Sequence, residues 1–188
     1  LMLRKMINMM KEDVKEVLLG EEKIHKRIDE IGKEVSKDYE GKDLILVGIL
    51  KGSVMFMADL MRKVTIPCSM DFMAVSSYGS STKSSGVVRI LKDLDAEIEG
   101  KNVLIVEDII DTGTTLKYLM KYLKSKKPES IQIACLLDKP SRRKVDIDVK
   151  YVGFTIPDYF VIGFGLDYDE KYRNLPFIGV LKEEVYNK

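Results

Sequence analysis

Apolar residues recur along this chain in two rhythms. Between Glu21 and Tyr39, Ile24, Ile28, Ile31 and Val35 follow one another at helical spacing. Steps of three and four place such side chains in one stripe along a helix. DLILVGIL, Asp43–Leu50, is instead an almost unbroken apolar run, the pattern of a strand covered on both faces in a parallel sheet. Lys51-Gly52-Ser53 interrupts it, and VMFMADLMRKV returns to a helical pattern in which Met57 and Met61 read as core. MDFMAVSSY (Met70–Tyr78), NVLIVE (Asn102–Glu107) and IQIACLL (Ile131–Leu137) repeat the strand pattern, with a helix reaching about Lys124 between the last two. Strand and helix in alternation predict an α/β fold with a mostly parallel, twisted central sheet flanked by helices.

After Pro140 the rhythm breaks up. KYVGFTI, FVIGFG and FIGVL are short apolar pieces separated by Pro, Asp and Tyr, with no long helix between them. They read as a smaller lobe or as an extension of the sheet edge. GSSTKSSGVVR, Gly79–Arg89, is rich in Ser and Gly and offers few core anchors. It is either a hairpin tip or a lid, since loops of this length in compact domains often cover active sites. No internal repeat and no linker divides the chain, so residues 1–188 are expected to form one domain.

Composition narrows the function classes. A length of 188 residues allows one substantial core. A net charge of +1 leaves no basic footprint for general nucleic-acid binding. Cys68 and Cys135 lie far apart in apolar surroundings, which suits a reducing cytoplasm better than a disulfide framework. No apolar run reaches the length of a membrane span. The Met-rich start is laced with Lys and Glu, without an apolar core or small-residue cleavage site, so it does not read as a signal peptide. His25, the one histidine, has no metal-ligand cluster beside it and reads as structural or exposed.

The candidate chemistry lies in VLIVEDIIDTGTTL, Val103–Leu116. Asp111-Thr112-Gly113-Thr114-Thr115 falls between a buried strand, taken to end at Val106, and a helical pattern. In an α/β sheet that is the carboxyl end of a strand, where ligands bind. Gly113 permits a tight turn, successive N–H groups can converge on one anion, and the helix N-terminus and Thr hydroxyls add a positive dipole end and donors. Such a cradle suits a phosphate monoester. The same residues also suit an ordinary turn with Asp or Thr as helix cap, and the loop alone does not choose. It is not the G-x-x-x-x-G-K-[ST] loop of nucleotide triphosphatases. Glu107 and Asp108 sharpen the picture. Carboxylates repel a bare phosphate, but they accept hydrogen bonds from sugar hydroxyls or hold a Mg²⁺ that neutralises a second phosphate group. The expected ligand therefore has a phosphate at one end, a diol in the middle and a metal-bound polyphosphate beyond. Asp111, at the lip of the cradle, is a candidate general base.

An apolar strand, Glu-Asp, two aliphatics and Asp-Thr-Gly-x-Thr together resemble the signature of the type I phosphoribosyltransferases. VEDIIDTGTTL looks like their hypoxanthine-guanine branch. LVGILKGSVMFMADL resembles the family's pyrophosphate loop and VSSYGSSTKSSGVVRILKDLD its mobile catalytic lid. DKPSRR with IPDYFVIGFGLDYDEKYRNLPFIGVL resembles its purine-binding hood. The match runs in the family's order from about Glu21 to Leu181. Two places depart from it: Tyr159 stands where relatives often carry Lys, and Ile162-Gly163-Phe164 where many have Val-Gly-Tyr.

The resemblance implies the type I phosphoribosyltransferase fold. Its core would cover about residues 40–137, and a small hood lobe would come from the N-terminal helix region and about residues 138–188. It implies transfer of phosphoribosyl from phosphoribosyl pyrophosphate to N9 of hypoxanthine or guanine, with Mg²⁺. Asp111, Thr112, Gly113, Thr114 and Thr115 would hold the 5-phosphate. Glu107 and Asp108 would face the ribose hydroxyls, in reach of a first Mg²⁺. Lys51 and Gly52 would meet the pyrophosphate, across a Leu50–Lys51 peptide that can be cis in this family, and Arg173 would clamp it. Ser77 and Tyr78 would cover the ribose from the lid. Lys139 would donate to the purine 6-oxo group, and Phe160 would stack on the ring. Val161 would offer backbone groups to the N1/N2 edge. Asp167 would ligate a second Mg²⁺ and suits guanine's 2-amino group as an acceptor. Taken singly, Phe160 could be core, Lys139 an exposed turn residue and Arg173 half of a surface ion pair. A xanthine-preferring enzyme and a regulatory RNA-binding relative of the fold are the other readings; the second calls for a basic face, which a net charge of +1 does not suggest. The resemblance also implies a homodimer or homotetramer, a cytoplasmic setting, and neither nucleic acid nor membrane as partner.

Overall fold

The computed structural model describes residue 10, residues 12–77 and residues 88–187. Six strands form the central sheet: β2 (Leu44–Leu50), β3 (Cys68–Ser77), β4 (Val88–Lys92), β5 (Asn102–Ile110), β6 (Ser130–Asp138) and β7 (Tyr151–Thr155). Their order is β4-β3-β2-β5-β6-β7. All neighbours are parallel except β3 and β4.

The unbroken apolar runs have a direct cause, because both faces of the sheet are covered. Strand alternation sends Leu44 and Leu46 of β2, with Leu104 and Val106 of β5, to one side. There they pack with α1 (Glu21–Asp38) and α2 (Val54–Met61). Ile45, Val47, Ile49, Val103 and Ile105 point the other way, against Leu116, Leu119 and Leu123 of α3 (Thr114–Lys124). The predicted stripe of α1, Ile24, Ile28, Ile31 and Val35, is fully buried. Each such side chain contributes roughly 1.5–3 kcal/mol relative to exposure.

The short apolar pieces after Pro140 divide between two sheets. β7 extends the edge of the central sheet. β8 (Val161–Ile162) and β9 (Ile178–Leu181) join β1 (Val14–Leu19) in a small antiparallel sheet ordered β1-β9-β8. The sequence pattern did not announce β1, whose middle residues are exposed and carry no alternation. Nor did it announce β4, which begins inside the Ser- and Gly-rich segment and is held by pairing with β3. Of the lid residues implied by the resemblance, Tyr78 and residues 79–87 lie outside the described residues, as does the side chain of Ser77. Among the described residues no helix is long and apolar enough to cross a membrane.

Candidate active site

β5 runs four residues further than the apolar pattern indicated. Its pairing with β2 stops at Gly48 and Val106. Its pairing with β6 continues through Glu107 with Cys135, Ile109 with Leu137, and Ile110 with Asp138. Beyond Val106 one edge of β5 is open, and the acidic pair sits at that notch as strand residues. The carboxylates ended the apolar run without ending the ladder.

Successive strand residues face opposite ways, so the two acids set out from opposite faces of the sheet. Glu107 lines a cavity of about 140 Å³ on the α3 side, together with Asp111, Thr112, Gly113 and Thr115. Gly113, at φ 80°, takes a left-handed conformation that favours glycine. It is the residue from which α3 starts, with no side-chain cap, and its carbonyl accepts from Lys117 N at 2.9 Å. The Thr114 N–H has only a long contact, 3.4 Å, to the Thr112 hydroxyl. The ordinary reading, a helix capped by Asp or Thr, is therefore not what the chain adopts at Gly113.

Asp108 turns toward α2 and meets the turn that follows β2. The Leu50–Lys51 peptide there is cis, and Ser53 Oγ donates to the Ile49 carbonyl at 2.6 Å. A Cβ on Gly52 would fall onto the Asp108 carboxylate, so this close approach requires glycine. The exposed Lys51 ammonium pairs with Glu170 at 3.0 Å.

A second cavity, of about 400 Å³, lies under the small sheet. Lys139, Phe160, Val161 and Asp167 line it, and Ile109 and Asp111 belong to both cavities. Lys139 is only 8% exposed. Its ammonium donates to the Tyr159 carbonyl and lies 3.5 Å from Asp158, and its N–H donates to the Ile110 carbonyl at 3.0 Å. It is thus no exposed turn residue, and Phe160, 38% exposed, is not core. Arg173 sits 2.9 Å from Asp167 and donates to the Gly165 carbonyl at 2.7 Å. Its Nε is buried without a partner among the described residues. A larger cavity, about 520 Å³, is lined by Lys117, Lys121, Lys124 and the 146–148 segment; it touches neither acid of the pair.

Burial raises the Glu107 carboxyl well above the usual range, and the neighbouring Asp108 charge adds to the effect. Asp108 is pushed up to about 6, chiefly by burial. The Ile109 N–H, 2.8 Å from Oδ1, and the Arg173 charge pull it back. Raised acids at the edge of a cleft are what a cation or a diol would relieve.

Several lining residues had no role from the sequence. Arg142 Nε donates to Asp111 Oδ1 at 3.0 Å, and its Nη1 lies 3.5 Å from Asp158. Ile109, Leu166 and Tyr186 supply apolar wall. Alternation through a longer β5 would have found Ile109. Nothing local marks Arg142 or Tyr186, because their partners are distant in sequence.

Residues 16–169 match the family model described as the phosphoribosyl transferase domain. The chain belongs to the phosphoribosyltransferase family. Among the curated relatives of this phosphoribosyltransferase is the hypoxanthine-guanine phosphoribosyltransferase of Staphylococcus aureus strain Mu50. It is 58% identical over 178 residues, covering 95% of this chain and 99% of the relative. The protein of the same name from Staphylococcus epidermidis strain RP62A is 59% identical over 179 residues, covering 95% and 100%. A solved hypoxanthine phosphoribosyltransferase of Staphylococcus aureus superposes with a TM-score of 0.93 at 57% identity, covering 96% of this chain and 98% of that one. A hypoxanthine-guanine phosphoribosyltransferase of Bacillus anthracis does so at 0.87 and 46%, covering 90% and 99%.

Proposed function

We propose that this phosphoribosyltransferase moves a phosphoribosyl group from phosphoribosyl pyrophosphate to N9 of hypoxanthine or guanine, giving IMP or GMP and releasing pyrophosphate. The observation that carries this reading is that Asp111 borders both cavities, the cradle beside α3 and the hood cavity with Lys139, Phe160 and Asp167. A ligand spanning the two has its phosphate at one end, its base at the other and its reacting bond near Asp111.

In this reading residues 111–115 take the 5-phosphate at the uncapped start of α3. Glu107 and Asp108 accept from the ribose hydroxyls. Lys51 exchanges its exposed Glu170 partner for pyrophosphate oxygens, which costs little because exposed pairs are worth about 0–1 kcal/mol; Gly52 lets the donor approach the backbone, and Arg173 closes on the leaving group. Ser77 and Tyr78 shield the ribose from water. Lys139 donates to the 6-oxo group; an ammonium cannot accept, which rejects a 6-amino purine. Phe160 stacks on the base, Val161 presents backbone groups to its edge, and Asp167 accepts from the 2-amino group of guanine. Asp111 takes up the N7 proton as N9 attacks.

The acids also fit Mg²⁺. Among the described residues no three metal-ligating side chains converge on one point, yet Mg²⁺ typically binds one or two carboxylates and completes its octahedron with substrate oxygens and water. Glu107 and Asp108 offer that near the ribose, and Asp167 offers it at the hood. When bound, the ion supplies charge neutralisation for the departing pyrophosphate. The whole chain works as one domain in this reading, in the cytoplasm and as a homodimer or homotetramer.

The test is a base panel. Purified protein receives labelled phosphoribosyl pyrophosphate, Mg²⁺ and one of hypoxanthine, guanine, xanthine, adenine or uracil. Product is expected with hypoxanthine and guanine. Product with xanthine alone would replace the base assignment, and product with uracil but no 6-oxopurine would overturn the reading.

A further inference from the structure

Phe160 carries two aromatic neighbours. Tyr186, the last residue of α4 (Glu183–Tyr186), stacks on it with ring centroids 4.8 Å apart and planes 18° from parallel. Tyr168 meets it edge-on at 5.7 Å and 83°. Phe160 nevertheless remains 38% exposed. Phe160 and Tyr186 both line the hood cavity, so with one face of Phe160 under Tyr186 and one edge against Tyr168, a base entering it can stack only on the face that Tyr186 leaves uncovered.

Tyr186 is seated. It packs half-buried against the cluster of Ile162, Leu175 and Leu181. Its helix follows β9 after a single residue, Lys182, whose N–H donates to the Asp13 carbonyl of the loop before β1 at 3.0 Å. Leu181 at the end of β9 donates to the Phe160 carbonyl at 2.9 Å. The segment that carries Tyr186 is thus hydrogen-bonded to the residue whose ring it covers.

We propose that Tyr186 is a positioning residue of the purine site, the rear ring of a three-ring stack in which the base occupies the free face of Phe160. This rests on the assignment of Phe160 as the stacking residue. A single aromatic at the lip of a cavity keeps rotational freedom that base binding must remove. A parallel ring behind it and a perpendicular ring at its edge remove that freedom beforehand. Tyr186 does not line the cradle cavity, so its effect falls on base binding and spares donor binding and transfer.

Steady-state kinetics of the full-length protein separates these effects. In Tyr186→Ala the KM for hypoxanthine should rise about three- to tenfold, the range of one aromatic pair, with the donor KM and kcat within about twofold. Tyr186→Phe, which keeps the ring, should restore the wild-type KM. Tyr186→Leu fills the hood without an aromatic face, so it keeps the test alive if the alanine variant melts below assay temperature; it should show the same KM increase. An unchanged hypoxanthine KM in the leucine variant overturns the proposal. So does a lowered one, because it would mean that Tyr186 stands in the place of the base. If the wild-type protein uses no 6-oxopurine at all, the functional reading itself falls, and this inference with it.

Discussion

Gly52 and Asp108 share a space that one side chain fills. A methyl group on Gly52 would displace the Asp108 carboxylate from the notch beside β5. Gly52→Ala is therefore expected to raise the KM for phosphoribosyl pyrophosphate about tenfold or more and to lower stability by roughly 1–3 kcal/mol, as overpacking does. Donor titrations and thermal melts of the variant check both numbers, and wild-type values in the two together would show that the contact is idle. Asp111 is tested differently. It borders both cavities and is held at 3.0 Å by Arg142, an exposed pair that adds little to stability. Asp111→Asn keeps the shape of the side chain but cannot take a proton. A kcat loss of about 10²–10⁴-fold with a nearly unchanged donor KM is expected of a general base. Equal loss in both parameters would remove the base assignment.

At the scale of elements, the central sheet depends on strands apolar on both faces. Ile105 lies in the middle of β5, fully buried against the α3 cluster. Ile105→Ala should cost about 2–5 kcal/mol, read as a lower melting temperature and denaturation midpoint. A loss below about 0.5 kcal/mol, the scale of surface changes, would contradict the two-faced packing. Those strands, the stripe of α1 and the linear run from Glu107 to Thr115 were legible because each is written in consecutive residues. What was not legible depends on partners far along the chain. β4 is secured at its base by Asp71, a nearly buried carboxylate that accepts from Phe72, Asp95 and Ala96 at 2.7–2.8 Å, with Lys92 at 3.5 Å. β1 is defined by its register with β9. The same holds in the site: Lys139 and Phe160 were found by resemblance, whereas Arg142 and Tyr186 acquire meaning only when Asp111 and Phe160 are beside them.

For the molecule as a whole, the site is a place where folding and ligand binding pull against each other. The chain folds around two carboxyls that prefer to be protonated there. Below about pH 4, near the ordinary carboxyl values, the Asp108 proton is bound in folded and unfolded chains alike, and no difference arises. Between about pH 4 and the folded value of about 6, the unfolded chain releases it while the folded chain keeps it, so stability falls as pH rises. Above that window both forms are ionised and the full penalty remains, on the order of 3 kcal/mol for Asp108. Glu107, raised well above its usual range by burial, acts in the same direction. Asp71 and Asp93 are lowered and act the other way, losing their contribution only below about pH 4. Melts of the ligand-free wild type and of Asp108→Asn at pH 5.0 and 7.5 isolate the effect. The variant should gain stability over the wild type at pH 7.5 and roughly half as much at pH 5.0; a gain independent of pH would show that the Asp108 charge is not what the fold resists. The donor with Mg²⁺ should reverse the pattern. On the proposed binding mode it meets the ionised acids, so it should stabilise the wild type more at pH 7.5 than at pH 5.0. In Asp108→Asn that dependence should shrink, because the charge that destabilises the empty site is the one the proposed donor complex uses.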